Sequence, residues 1–141
     1  MARTGYFLED LEVGQSAEFA KTISEADITL YAAVSGDTNP LHIDHVYSEA
    51  TMFKGRIAHG MLSAGLISAV LGTLLPGPGA VYVSQTLRFK APVRIGDTVT
   101  ARCTLAEIER EKKRVKFACE CRVHDKIVIE GEAVLMVPAR G

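Results

Sequence analysis

The chain is 141 residues long, 48% hydrophobic and 23% charged, with a net charge of −1 at pH 7. That is enough apolar material for one domain with a substantial core, and the chain is too short for a second full domain. With 16 Lys and Arg against 17 Asp and Glu, no basic excess is available to mass on one face, which excludes a nucleic-acid footprint.

Residues 1–7 lack the apolar core of a secretory signal, and the longest apolar run, residues 61–75, is too short and too punctuated by Gly and Ser to cross a bilayer. The expectation is a cytoplasmic enzyme without a membrane anchor. Cys103, Cys119 and Cys121 are odd in number and show no CxxC or Cys/His metal spacing, so they read as small core residues in a reducing compartment.

In chain order, residues 15–23 read as a short strand. Ser24 then has the character of a helix N-cap, with Asp27 in the first turn. The helix that follows places Ile28, Tyr31, Ala32 and Ser35 on neighbouring positions and stops near Gly36, because the Asn39-Pro40 step fixes φ at Pro40 and pushes Asn39 toward extended backbone. Asp37 and His42 therefore flank a turn. A carboxylate and an imidazole so placed can hold one water between a base and an acid.

Residues 46–51 suggest a short helical turn, followed by an irregular stretch through Phe53, Lys54, Gly55 and Arg56 that partly covers a site. Ala58-His59-Gly60 opens the next helix, residues 61–75, which is apolar on nearly every side and so reads as buried. Pro76-Gly77-Pro78-Gly79 ends it. Four strand-like runs follow, over residues 81–90, 97–108, 114–125 and 126–137. In each the odd positions are mainly apolar: Val81, Val83, Leu87 and Phe89; Val99, Ala101, Cys103 and Leu105; Val115, Phe117, Cys119, Cys121 and Val123; Ile127, Ile129, Ala133, Leu135 and Val137. Period two on one face predicts a sheet with one side buried. Short turns between the runs make it antiparallel, curled round one buried helix in an α+β arrangement.

Three blocks carry a family resemblance: Ser35-Gly36-Asp37-Thr38-Asn39-Pro40-Leu41-His42, then Arg56-Ile57-Ala58-His59-Gly60-Met61-Leu62, then Leu87-Arg88-Phe89-Lys90-Ala91-Pro92-Val93 followed by Gly96-Asp97. In this order the chain resembles the MaoC-like (R)-specific enoyl-CoA hydratases, hydratase 2 and the PhaJ type included, over nearly its whole length. The resemblance implies one hot-dog domain over residues 1–141. It implies reversible addition of water to a trans-2-enoyl-CoA thioester, giving the (R)-3-hydroxyacyl-CoA, without a cofactor or metal.

On that reading Asp37 and His42 act on one water, which of them is the base being left open. Gly60 lets the thioester approach the free N–H groups of the following helix, its own N–H serving as the oxyanion donor, whereas a merely structural Gly60 would be a helix N-cap. Asn39 braces the loop or orients the water. His59 either orients the oxyanion loop or caps the helix. Ser68 and Leu71 are the residues to test for acyl-chain length, against plain core packing. Lys54, Arg56, Arg88, Lys90 and Arg94 are candidates for the CoA phosphates, against the commoner role of solvated surface charge.

The family further implies a homodimer paired edge to edge into a continuous sheet. Three alternatives stay open: a dehydratase acting on acyl carrier protein, whose acidic surface would need a basic patch at the mouth; a hot-dog thioesterase, against which the Asp-x-Asn-Pro-x-His arrangement speaks; and a non-catalytic acyl-CoA-binding subunit.

Overall fold

The period-two runs become a six-stranded antiparallel sheet in the computed structural model, which describes residues 4–141. The strands are β1 (Ser16–Thr22), β2 (Val81–Gln85), β3 (Arg88–Phe89), β4 (Thr98–Glu109), β5 (Arg114–Val123) and β6 (Lys126–Met136). Their order is β1-β4-β5-β6-β2, with β3 also pairing β6. The helices are α1 (Glu25–Ser35), α2 (Pro40–Ile43), α3 (His45–Glu49) and α4 (Gly60–Thr73).

Helix α1 begins as the sequence predicts. Ser24 Oγ accepts from the Asp27 N–H at 3.1 Å, and Asp27 Oδ2 accepts from the Ser24 N–H at 2.9 Å, a reciprocal cap that satisfies two otherwise free donors. Gly36 ends the helix with φ of 81°, a left-handed conformation that a Cβ disfavours. Beyond it the chain does not stay a loop. Asn39 Oδ1 caps a new helical turn by accepting from the Leu41 N–H at 3.0 Å, and Pro40 occupies its first position, where no N–H is needed. His42 therefore sits in α2 and not in an open loop.

The core lies between α4 and the inner sheet face. Val99, Ala101, Cys103 and Leu105 of β4 and Val115, Phe117, Cys119 and Cys121 of β5 are all buried, as the alternation predicts. Cys103 and Cys119 face each other directly across the β4–β5 pair. The Cys103 thiol is pushed above its ordinary value by its hydrogen bond to Cys119 and by burial, and burial pushes Cys121 up to about 12. Thiols so held stay protonated and pack as small apolar groups.

Three expectations change. Helix α4 buries Ser63, Ala64, Leu66, Ile67, Val70 and Leu71, but Met61, Gly65, Ser68 and Gly72 form an exposed stripe, because the sheet covers only one side of it. In β6 a register irregularity opposite Cys121 and Arg122 brings both Val128 and Ile129 inside, at 1% and 2% exposure, and breaks strict alternation. The run 81–90 divides into β2 and β3 at Thr86, whose carbonyl oxygen lies 1.8 Å from where a Cβ on Gly131 would stand. Only glycine admits that crossing. Val81 and Val83 of the edge strand β2, and Phe89 of the short strand β3, all expected inside, are 59%, 41% and 54% exposed.

Candidate active site

Asp37 leaves the C-terminus of α1 held by local hydrogen bonds. Its N–H donates to Ser35 Oγ at 3.1 Å, and its Oδ1 accepts from the Asn39 N–H at 3.2 Å. The carboxylate is exposed at the mouth of a cavity of about 560 Å³. His42, 8% exposed, lines the same cavity.

The imidazole of His42 has its tautomer set by a carbonyl. Nδ1 lies 2.8 Å from the Ile57 oxygen, which can only accept, so Nδ1 carries the hydrogen and the neutral ring keeps a lone pair on Nε2. A second imidazole is stacked on it: the His42 and His59 rings lie 4.0 Å apart at 29°, and Tyr31 packs on His59 at 4.7 Å. His59 Nε2 donates to the Asp37 carbonyl at 2.9 Å, while its Nδ1 is buried without a partner among the described residues. His59 is the N-cap residue of α4, yet its side chain makes no capping bond. It ties the start of α4 to the backbone of Asp37.

Gly60 is the first residue of α4, not its cap, so its N–H is among the free donors of a helix N-terminus. A Cβ there would fall 2.6 Å from the Phe89 ring. Its lack of a side chain is thus used for close packing beside the cavity, of which Gly60 and Phe89 are both walls.

Asp37, His42 and His59 each offer one carboxylate oxygen or ring nitrogen within 4.8 Å of the other two. At that spacing one water oxygen can reach hydrogen-bond distance of Asp37 and His42 together. The same three groups are of metal-ligating type, but imidazoles bind ions through in-plane lone pairs. Two stacked rings 4.0 Å apart and inclined at 29° have planes that meet well beyond their edges, so they do not converge on one ion. The arrangement suits a water held between Asp37 and His42 better than a cation.

The remaining sequence candidates are spread more widely. Lys90 lines the cavity and pairs with Glu130 at 3.2 Å. Lys54 is exposed, with φ of 56°, and Arg94 donates to the Phe53 carbonyl. Arg88 lines a different cavity, beside Arg102 and Glu120. Arg56 turns inward to the His42 carbonyl. Ser68 is exposed on the open stripe of α4 and Leu71 is 1% exposed in the core, and neither lines the cavity that holds Asp37 and His42. Ser63, one turn into α4, does line it, with its Oγ buried and unpaired among the described residues. Asn39 is exposed and caps α2.

Comparison with known proteins agrees with this geometry. A protein of Rhodospirillum rubrum named (R)-specific enoyl-CoA hydratase is 64% identical over 136 residues, covering 96% of this chain and 94% of that protein. A 3-hydroxybutyryl-CoA dehydratase of Methylorubrum extorquens is 52% identical, covering 95% of this chain and 85% of that one. Among solved structures, the unliganded R-hydratase PhaJ1 of Pseudomonas aeruginosa superposes with a TM-score of 0.90 at 47% identity, over 96% of this chain and 88% of that one. The (R)-hydratase of Aeromonas caviae superposes with a TM-score of 0.89 at 39% identity, over 92% of this chain and 99% of that one. Those likenesses give the sheet and helix α4 the hot-dog fold. The family described as MaoC like domain matches residues 10–127, and this chain belongs to it.

Proposed function

We propose that this chain is an (R)-specific enoyl-CoA hydratase, a hydro-lyase that adds water reversibly to trans-2-enoyl-CoA. What carries the reading is that Asp37 and His42 bring a carboxylate oxygen and a ring nitrogen within 4.8 Å of each other on the wall of one cavity, while the Nδ1 bond to Ile57 leaves the His42 Nε2 lone pair free. The relatives named as hydratases supply the thioester and its (R) stereochemistry.

The steps follow from those positions. Water donates one hydrogen bond to His42 Nε2 and the other to the Asp37 carboxylate. As its oxygen bonds to Cβ, His42 takes a proton, and the π electrons of the alkene move through Cα onto the thioester oxygen. The Gly60 N–H and the positive end of α4 stabilise that oxyanion. The proton then passes from the imidazolium to Cα and the enolate collapses to the thioester, so one water has been added and both groups are restored. Dehydration runs the same steps backward. A positioned acid or base contributes on the order of 10²–10⁴-fold.

On this reading the chain is one hot-dog domain over residues 1–141, working as a cytoplasmic homodimer with no nucleic-acid partner. Exposed Val81, Tyr82, Val83 and Phe89 on the β2–β3 edge support pairing of two copies, since an open apolar strand edge invites a second strand. Among the described residues no helix is long and apolar enough to cross a membrane. The deciding assay is loss of the conjugated-thioester absorbance of crotonyl-CoA, with the product offered to (R)- and (S)-specific dehydrogenases. Loss giving only (R) product supports the reading. Activity confined to thioesters on acyl carrier protein would replace it with a dehydratase, and thiol release without hydration with a thioesterase.

A further inference from the structure

Arg56 stands in the sequence as a candidate for the CoA phosphates, but its contacts point elsewhere. Its Nε donates to the His42 carbonyl at 2.6 Å and its Nη1 to Glu25 Oε1 at 2.7 Å. The side chain is only 13% exposed and is not part of the cavity wall. Resting on the hydratase reading, we infer that Arg56 is a positioning residue for His42 and not a ligand for the CoA phosphates.

The need for such a residue comes from the shortness of α2. A helix of four residues lies far below the length at which helical hydrogen bonding sustains itself, and its last carbonyls have no partners within it. Residues 56 and 57 supply those partners. The Ile57 N–H donates to the Leu41 carbonyl at 3.4 Å, and Arg56 Nε reaches the next carbonyl, that of His42. A cation there also suits the negative end of the helix.

The grip on His42 is therefore double. Its ring is held at Nδ1 by the Ile57 carbonyl and its backbone at the carbonyl by the Arg56 guanidinium, two adjacent residues of one segment. Glu25 anchors the far side of the guanidinium to the first turn of α1, the helix whose other end delivers Asp37. Arg56 thus fixes the imidazole relative to the carboxylate. Lysine cannot take its place, because a single ammonium does not span a carbonyl and a carboxylate in fixed directions.

The test compares wild type, Arg56→Ala, Arg56→Lys and Arg56→Gln on two substrates: crotonyl-CoA and crotonyl-pantetheine, which lacks the nucleotide phosphates. Arg56→Ala is expected to lower kcat by about 10- to 10²-fold by the same factor on both substrates, with KM nearly unchanged. Arg56→Lys should not restore it, whereas guanidinium ion added to Arg56→Ala should do so in part. A rise in KM for crotonyl-CoA alone, at unchanged kcat, would overturn the inference and make Arg56 a phosphate ligand. Wild-type kinetics in Arg56→Ala would overturn it as well.

The imidazole ¹⁵N spectrum reads the His42 Nδ1–H tautomer with no substrate present. Loss of that single tautomer in Arg56→Gln supports positioning, and its persistence argues against it, even if Arg56→Ala does not fold. If the wild type hydrates neither thioester, the hydratase reading fails, and the spectrum still decides what Arg56 does to His42.

Discussion

The segment from Asp37 to Gly60 and the sheet β4–β5–β6 hold their residues in place by different means. In the sheet, side chains fix one another: Phe117, Leu105, Ala133 and Leu135 are buried to 2% exposure or less, and each occupies the face its sequence parity assigns. In the site segment, backbone carbonyls do the fixing. The oxygens of Ile57, Asp37 and His42 hold, in turn, the rings of His42 and His59 and the guanidinium of Arg56. A core side chain spends all its chemistry on volume. A side chain held by one atom against a carbonyl keeps another atom free to react.

The sharpest way to separate the two regions is to remove the reactive His42 Nε2 while keeping a donor for the Ile57 carbonyl. His42→Asn should lower kcat by roughly 10²–10⁴-fold while shifting the thermal midpoint little, as measured by the crotonyl-CoA assay and a melting curve on the same sample. Comparable turnover in the variant would end the assignment of His42 as the proton acceptor. The reverse case is Phe117→Ala in the sheet, expected to cost about 3–5 kcal/mol in denaturant unfolding while the folded fraction keeps nearly wild-type kcat.

His59 lies on the boundary between the regions, being 1% exposed yet bonded to the Asp37 carbonyl. His59→Phe keeps the stack between Tyr31 and His42 but deletes the bond, so kcat should fall on the order of 10-fold with KM little changed. Equal activity would make His59 a core residue like Phe117.

The smallest effect belongs to the α1 cap. Asp27 is held below its ordinary value of 3.8, first by the Ser24 N–H, with burial opposing and Lys21 assisting. A carboxyl lowered in this way adds stability that is present above its ordinary value and lost as pH falls through the folded one. Asp27→Asn should therefore melt lower than wild type by a few degrees at neutral pH, the gap closing as the pH drops below 3.8. A gap that persists in acid would place the contribution in the side-chain shape and not in its charge.

Sheet, cap and the closeness of Asp37 to His42 were legible in the sequence for distinct reasons. Alternation names a face, so Val99 through Cys121 could be placed before any coordinates. It does not say whether a face is covered, and Val83 and Phe89 carry the same pattern as Val99 while standing open at an edge. Asp37 and His42 were visible because the Asn39-Pro40 step forces the turn between them. What the sequence could not reveal was the set of backbone acceptors, since the Ile57 carbonyl looks like any other until the chain has folded. For the same reason Arg56, a plain surface cation by composition, could not be seen to face inward. Helix α4 was misjudged on one side only: the small residues Gly65, Ser68 and Gly72 made it read as buried all round, and they form its open stripe.

Gly131 lies outside the catalytic cavity, yet any side chain there would act as a wedge. It would lift the Thr86 crossing and, with it, the two-residue strand that carries Phe89 across Gly60. A methyl group added at position 131 would thus loosen the packing of Phe89 on Gly60 and reshape the wall of the cavity that holds Asp37 and His42, from a position outside that cavity.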